Sequence, residues 1–287
     1  MAILTSSDAA RPIVYLPYHL TMGLHGASDA GKTAFASGVR NFAEHPKGAV
    51  VPGVIMGDVD GGMLTLAAQG VIVERYPEDP LQRISRLDDL RDFTNYIRDR
   101  LAKRPGSLWL ASIDTLTRFQ ESDKLNLMGD TDRSTDGRAD FGRMLVHLIR
   151  ICKSLPDWGL SVIITAHSMP LMDHYLKMER FMPAFEGQFR DKFASYLDIV
   201  GFLRVMYSEN GDLSGRRLFL TPNRAFMART RLGTLLPPFI DNPNFPDILD
   251  IYREAREAYI KRLRVEHPEY RLVLSQAEMV DLQEAKR

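Results

Sequence analysis

Cysteine is nearly absent: one thiol, Cys152, stands among 287 residues. A lone cysteine forms no internal disulfide, which fits a reducing compartment and excludes a disulfide-stapled secreted scaffold. Cys152 reads as a small apolar residue packed on a helix, with a reactive thiol as the alternative. Net charge is missing as well, since 37 Lys and Arg balance 37 Asp and Glu. No global basic field therefore advertises nucleic acid or membrane. No apolar run approaches the ~18 residues of a membrane span, and the N-terminus lacks a signal-peptide pattern. A cytoplasmic protein that does not engage the membrane is expected. The chain is 45% hydrophobic and 26% charged, which allows a sizeable core, and its length admits one large α/β domain.

Against that background stands one specific signal. Gly26-Ala27-Ser28-Asp29-Ala30-Gly31-Lys32-Thr33 fits the phosphate-loop pattern G-x-x-x-x-G-K-[ST] without a mismatch. A match of this kind arises by chance in on the order of one chain in a hundred of this length, so its context decides its meaning. Leu20 to Leu24 reads as a short buried strand and Ala34 to Phe42 as a helix, and strand, loop, helix is the order the motif requires. Backbone N–H groups of such a loop surround phosphates, the lysine reaches the β- and γ-phosphates, and the threonine hydroxyl serves Mg²⁺. ATP and Mg²⁺ are the expected cofactors, with Gly26, Ala27, Ser28, Asp29, Ala30, Gly31, Lys32 and Thr33 binding the nucleotide.

The remaining chain alternates strand and helix without repeats. Apolar strands are expected at Gly53–Gly57, Val71–Glu74, Leu108–Ile113 and Leu160–Ala166. Leu87, Leu90, Phe93, Ile97 and Leu101 are spaced by three and four and mark one helix face, and Phe141, Met144, Leu145, Leu148, Ile149 and Cys152 mark a second. Near-continuous apolar strands between helices imply a mostly parallel sheet covered on both sides. After about residue 197 the pattern changes. Ile199–Met206 and Arg216–Leu220 flank the turn-forming Glu209-Asn210-Gly211-Asp212, Phe226–Arg231 is a further strand candidate, and an antiparallel edge accounts for all three. A helix follows over about Asp247 to Arg264, and residues 265–287 are either a second helix or a frayed tail. Residues 1–245 are thus expected to form the core and 246–287 a C-terminal helical extension.

Ligands collect at the carboxyl ends of strands in such sheets, and Asp58, Asp60, Asp114 and His167 each follow a buried strand. Asp114 is the candidate partner of Thr33 for Mg²⁺; as the alternative it caps a helix opening at Thr115. The residue after it is Thr115 and not glutamate, so the catalytic base must come from elsewhere. Asp58 and Asp60 also suit a glycine-assisted turn.

The phosphate loop, Asp58-Val59-Asp60-Gly61-Gly62, Ile113-Asp114-Thr115 and Ile163-Ile164-Thr165-Ala166-His167 together resemble the RecA-like ATPases. The similarity is strongest to the compact phage RecA-core ATPases of single-strand annealing and recombination, and it spans about residues 18–250. It implies an α/β fold of the RecA-like P-loop NTPase type, with a mostly parallel central sheet flanked by helices, antiparallel edge strands and a C-terminal helix. It also implies roles. Asp60 stands where that family has a water-orienting glutamate, one methylene shorter, and a misplacement near 1 Å can cost on the order of a hundredfold in rate. His167 occupies the place of a γ-phosphate sensor, with a hydrogen-bonded core histidine as the alternative. Arg229 and Arg231 resemble the basic pair that reaches a neighbouring subunit's site in rings and filaments, with solvated strand-face arginines as the alternative; such an arginine in trans can be worth 10³–10⁵ in rate. Lys32, Asp60, His167, Arg229 and Arg231 form the expected catalytic set, with Thr33 and Asp114 on the metal.

The resemblance further implies a homo-oligomeric ring or filament and single-stranded DNA as partner. Two long segments bear on DNA. Residues 120–140 carry six acids against three bases and, as a loop, should repel phosphate. Residues 168–192 interleave His174, Tyr175, Lys177, Arg180, Phe181, Phe185, Phe189, Arg190 and Lys192, the mixture of rings and charge that a single-strand groove uses; a lid, a subunit contact or a packed helix explains it equally. Alternatives to a DNA-dependent ATPase are a nucleotide-gated scaffold with little turnover and a small-molecule P-loop kinase. A hexameric helicase is expected to carry a large domain ahead of the loop, and here the loop begins at residue 26.

Overall fold

The computed structural model describes residues 3–4, 13–15, 18–129, 137–173 and 177–273. In chain order its elements begin with β1 (Ile3–Leu4), β2 (Ile13–Tyr15), β3 (Thr21–Gly26), α1 (Lys32–Ala36), β4 (Ala49–Asp58), α2 (Met63–Ala68) and β5 (Val71–Tyr76). Next come α3 (Leu87–Lys103), β6 (Leu110–Asp114), α4 (Leu116–Gly129), α5 (Gly137–Asp157), β7 (Ser161–Asp173), β8 (Met178–Pro183) and α6 (Gly187–Phe193). The last are β9 (Ile199–Tyr207), β10 (Leu213–Phe219), β11 (Arg229–Thr230), β12 (Phe239–Asp241), α7 (Phe245–Glu266) and β13 (Arg271–Val273).

The large sheet runs β12-β10-β9-β3-β7-β6-β4-β5. Its six strands from β9 to β5 are mutually parallel, while β10, β11 and β12 add an antiparallel wing on β9. The expected architecture is therefore the observed one: a mostly parallel central sheet with flanking helices, antiparallel edge strands and a C-terminal helix. Strand β7 outruns its neighbours and folds back into β8 as a hairpin.

Both sheet faces are covered, which explains the near-continuous apolar strands. Side chains alternate: Met56 belongs to one cluster with Met22, Leu110, Ile163 and the helix α7 residues Phe245, Ile248 and Tyr252. Ile55 belongs to the other, with Ile113, Ile164, Phe93 of α3, Phe119 of α4, Cys152 of α5 and Phe193 of α6. Helix α7 thus packs into the same core as the loop-bearing strand. Cys152 is buried, and burial pushes its thiol up to about 12, so it acts as the core residue expected and not as a nucleophile.

Four local expectations need correction. The helix after the phosphate loop spans five residues, Lys32–Ala36, and not 34–42. Gly38 ends it at φ 71°, a left-handed conformation that helices use to stop. Residues 120–129 continue helix α4 and are not a loop; residues 130–136 lie outside the described residues. In the segment 168–192, Phe185 and Phe189 are core side chains in mutual edge contact with Phe193, so they cannot stack on a nucleic acid strand. His174 and Tyr175 of that segment lie outside the described residues. Finally, residues 271–273 form neither a helix nor a tail but β13, parallel to β2; residues 274–287 lie outside the described residues.

Candidate nucleotide-binding site

The parallel register brings the sequence-predicted groups to one end of the sheet. Gly26 at the end of β3 pairs with His167 on β7, and Asp58 on β4 pairs with Asp114 on β6. Because β7 separates β3 from β6, the loop leaving β3 must cross the top of β7 to meet Asp114. It does so through Thr33, whose hydroxyl donates to Asp114 Oδ2 at 2.6 Å. Thr165 of β7 donates to the other oxygen, Oδ1, at 2.5 Å.

Asp114 is buried, and burial pushes its carboxyl up to about 6 against the pull of the Thr165 and Thr33 hydroxyls. Among the described residues it has hydroxyl partners and no cation at hydrogen-bond distance. The capping alternative goes to its neighbour: Thr115 Oγ1 accepts from the N–H of Arg118 in the first turn of α4 at 3.4 Å. A carboxylate and a hydroxyl are hard oxygen donors, the kind that Mg²⁺ takes one or two of while phosphates and water complete its shell. The residues present therefore fit the metal that the phosphate loop implies.

Lys32 is 3% exposed and its Nζ donates to the carbonyls of Gly26 at 3.1 Å and Ala27 at 2.6 Å. Burial lowers its pKa, while Asp114, Asp60 and Asp29 pull the other way. Phosphate oxygens are stronger acceptors for an ammonium than two carbonyls, and the loop holds the amine within it already.

Asp58 and Asp60 part company. Asp58 is buried, accepts from Gly61 N–H at 2.9 Å and pairs with Arg75 at 2.8 Å; it is a turn and ion-pair residue. Asp60 is exposed, and its Oδ1 accepts from Gly62 N–H at 3.1 Å. Its charge is nevertheless felt at Lys32, Asp114 and His167, so it faces the same space. Gly62 shows why this turn needs glycine: a Cβ there would lie 2.6 Å from Asp114 Oδ2 and 2.9 Å from Thr33 Oγ1.

His167 keeps a neutral ring, its pKa lowered by burial and then by Lys32. Its Nδ1 is buried without a hydrogen-bond partner among the described residues, while its backbone N–H donates to Thr117 Oγ1 of α4 at 3.0 Å. A buried unpaired nitrogen costs about 1–3 kcal/mol, and His167 stands at the end of β7 beside Gly26, where the phosphate loop begins.

Arg229 and Arg231 are not part of this cluster. They follow the other edge of β9, where Arg229 is opposite Val200 and Thr230 opposite Ile199, at the amino ends of the parallel strands. Arg229 donates to Ala194 O at 2.9 Å, and Arg231 donates to Ser195 O and pairs with Asp198 at 3.2 Å. Any action on a phosphate would have to be on another subunit's.

Several partners carried no local sequence signal. Thr165 interrupts the apolar run Val162–Ala166 and was the most visible. Gly62 sits inside the Asp58-Val59-Asp60-Gly61-Gly62 segment, and Thr117 lies two residues past Thr115. His25, one residue before Gly26, is fully buried and bridges Ser168 Oγ (2.8 Å) and Met227 O (2.7 Å). Because a carbonyl only accepts, Nε2 carries the proton and Nδ1 takes the serine's. Burial is the main reason its pKa falls to about 4.

No family model matches the sequence, and no curated protein is significantly similar to it. Among solved structures the chain is similar to a KaiC-like protein of the hyperthermophilic archaeon Pyrococcus horikoshii, at 15% identity and a TM-score of 0.37, over 78% of this chain and 89% of that one. At that distance the functional reading stands on the residues of the site itself.

Proposed function

We propose that this chain binds and hydrolyses a nucleoside triphosphate, ATP being the expected one, with Mg²⁺. The observation that carries the reading is the Thr33–Asp114 contact: a motif threonine and a buried carboxylate from a strand two places away meet at 2.6 Å beside Lys32. When bound, the metal would be held by Thr33 and Asp114 and would neutralise phosphate charge. Lys32 holds the phosphates through its ammonium. His167 offers a neutral ring nitrogen to the terminal phosphate and passes its position to α4 through Thr117. Asp60 is the candidate to orient the attacking water, and its short side chain, tied to Gly62 N–H, supports slow turnover.

That tie favours a second reading, a nucleotide-gated assembly protein in which binding matters more than hydrolysis. In either reading Arg229 and Arg231 are proposed to act across a ring or filament interface. A role on single-stranded DNA, and kinship with the compact phage recombination ATPases, rest on the order of motifs along the sequence. Phosphate release from ATP, measured with and without Mg²⁺ and single-stranded DNA, tests the proposal. Mg²⁺-dependent release supports hydrolysis, and stimulation by DNA supports the recombination role. Tight binding without release supports the scaffold. Phosphate transfer to a small acceptor would establish a kinase instead, and no binding at all would remove the reading.

A further inference from the structure

A cleft of about 180 Å³ opens along α1, with a lining that does not include Asp114. It begins at Gly31 and runs past Ala34 and Phe35 to Phe42, with Leu203 of β9, Arg216 of β10 and the Asn242–Pro243 turn as the opposite wall. The floor is apolar: Phe35, Val39 and Leu203 are almost fully buried. Its rim is polar, with Asn41, Asn242 and the guanidinium of Arg216. An apolar slot with a few polar groups at the mouth is what a flat heteroaromatic ring with hydrogen-bonding edges requires.

Arg216 is placed there by specific contacts. Its Nε donates to Ala30 O of the phosphate loop at 3.0 Å. Its backbone is fixed to Asn242, whose Oδ1 accepts from Arg216 N–H at 3.1 Å and whose N–H donates to Arg216 O at 2.7 Å. The fit against the loop is close enough that a Cβ on Gly31 would lie 2.5 Å from Nε. Arg216 nevertheless remains exposed, and among the described residues its guanidinium makes no salt bridge, unlike neighbouring Arg217, which pairs with Asp241 at 2.6 Å. An arginine whose Nε anchors to a loop carbonyl keeps its outer nitrogens and its planar face for a ligand.

We infer that Arg216, supplied from the antiparallel wing of the same chain, is a specificity-determining residue that covers the nucleoside end of the triphosphate in this cleft. The inference rests on the phosphate-loop reading and goes beyond it: the loop alone would accept any triphosphate, and the wing selects one that carries a base. It also gives β10–β12 a role in the site that the parallel strands do not fill.

The test compares ATP with inorganic tripolyphosphate, both with Mg²⁺, by equilibrium binding to the full chain. Wild type should bind ATP about tenfold or more tightly than tripolyphosphate. Arg216→Ala should weaken ATP by about tenfold, within the range that stacking on a guanidinium supplies, and change tripolyphosphate less than about threefold. Arg216→Lys should not restore ATP affinity, because an ammonium has charge but no plane. Ala34→Leu, which grows a side chain into the cleft and leaves Arg216 intact, should produce the same selective loss and covers the case in which Arg216→Ala disturbs β10. Equal affinity of wild type for the two ligands, or parallel losses for both in Arg216→Ala and Ala34→Leu, overturns the inference while leaving the phosphate site standing. Failure of wild type to bind either ligand overturns the phosphate site and the inference with it.

Discussion

Two buried aspartates mark opposite ends of the same parallel sheet, and their surroundings differ in kind. Asp198, just before β9, accepts from Thr21 N–H at 3.0 Å and pairs with Arg231 at 3.2 Å. It is the partner of a cation and of a backbone donor, and it holds the start of β3 to the wing. Asp114, at the carboxyl end of β6, has two threonine hydroxyls. Burial raises the pKa of both. Asp198 nonetheless has a positive charge in its shell, whereas Asp114 has no cation at hydrogen-bond distance among the described residues. The histidines repeat the contrast. His25 has both ring nitrogens engaged, whereas His167 has a buried Nδ1 with no partner among the described residues. Asp198 and His25 thus hold elements of the fold together, and Asp114 and His167 stand at the strand ends beside the phosphate loop.

The comparison can be broken most forcefully at Lys32. Lys32→Ala removes a charge-assisted phosphate contact and should weaken ATP binding about a hundredfold, with the melting temperature within about 3 °C of wild type. A variant that binds ATP normally would refute the site. Asp198→Ala should do the opposite, lowering stability by about 3 kcal/mol, since it strands Arg231 and the Thr21 N–H. Denaturant titration would show this, and an unchanged midpoint would mean that Asp198 is no structural anchor. Arg231→Ala belongs to the same test. Lost stability without a change in assembly-dependent activity favours its pairing with Asp198 over an action in trans.

Asp114→Asn sharpens the contrast further. It should abolish Mg²⁺-dependent turnover and yet stabilise the fold at pH 8 by on the order of 2 kcal/mol. The sign follows from the raised pKa: the folded state disfavours the ionised carboxyl, so wild-type stability is lost as pH rises through about 6. The advantage of asparagine should therefore fade as pH falls toward 4. Destabilisation at pH 8 would show that the carboxylate is structural, like Asp198. The smallest effect is expected at His25, whose depressed pKa contributes stability above 6.5 that is lost on acidification toward about 4. Wild type should lose about 1 kcal/mol relative to His25→Gln between pH 7 and pH 5.5. Parallel pH profiles for the two would sink that assignment.

What the sequence made legible was local. Eight contiguous residues revealed the phosphate loop, and runs of apolar residues ending in Asp114 or His167 revealed strand ends. The sheet class followed from strands apolar on both faces. The contacts that complete the site are not local. Thr165 and Asp114 are 51 residues apart, Arg216 and Ala30 186 apart, and neither pairing leaves a periodic trace. Gly38 was the clearest misreading, because a helical pattern from Ala34 to Phe42 outweighed a single residue that stops the helix. The rings at 185 and 189 misled for the opposite reason: aromatic residues among charges suit a strand-binding groove and a packed helix alike, and only burial separates them.

The central claim is that the loop from Gly26 to Thr33 and the carboxylate of Asp114 hold one metal–nucleotide complex between them. A crystal structure with a non-hydrolysable ATP analogue and Mn²⁺, located by its anomalous signal, tests it directly. The account predicts phosphates within the loop and the metal peak beside Thr33 and Asp114. A nucleotide bound elsewhere, or a metal distant from Asp114, would contradict it.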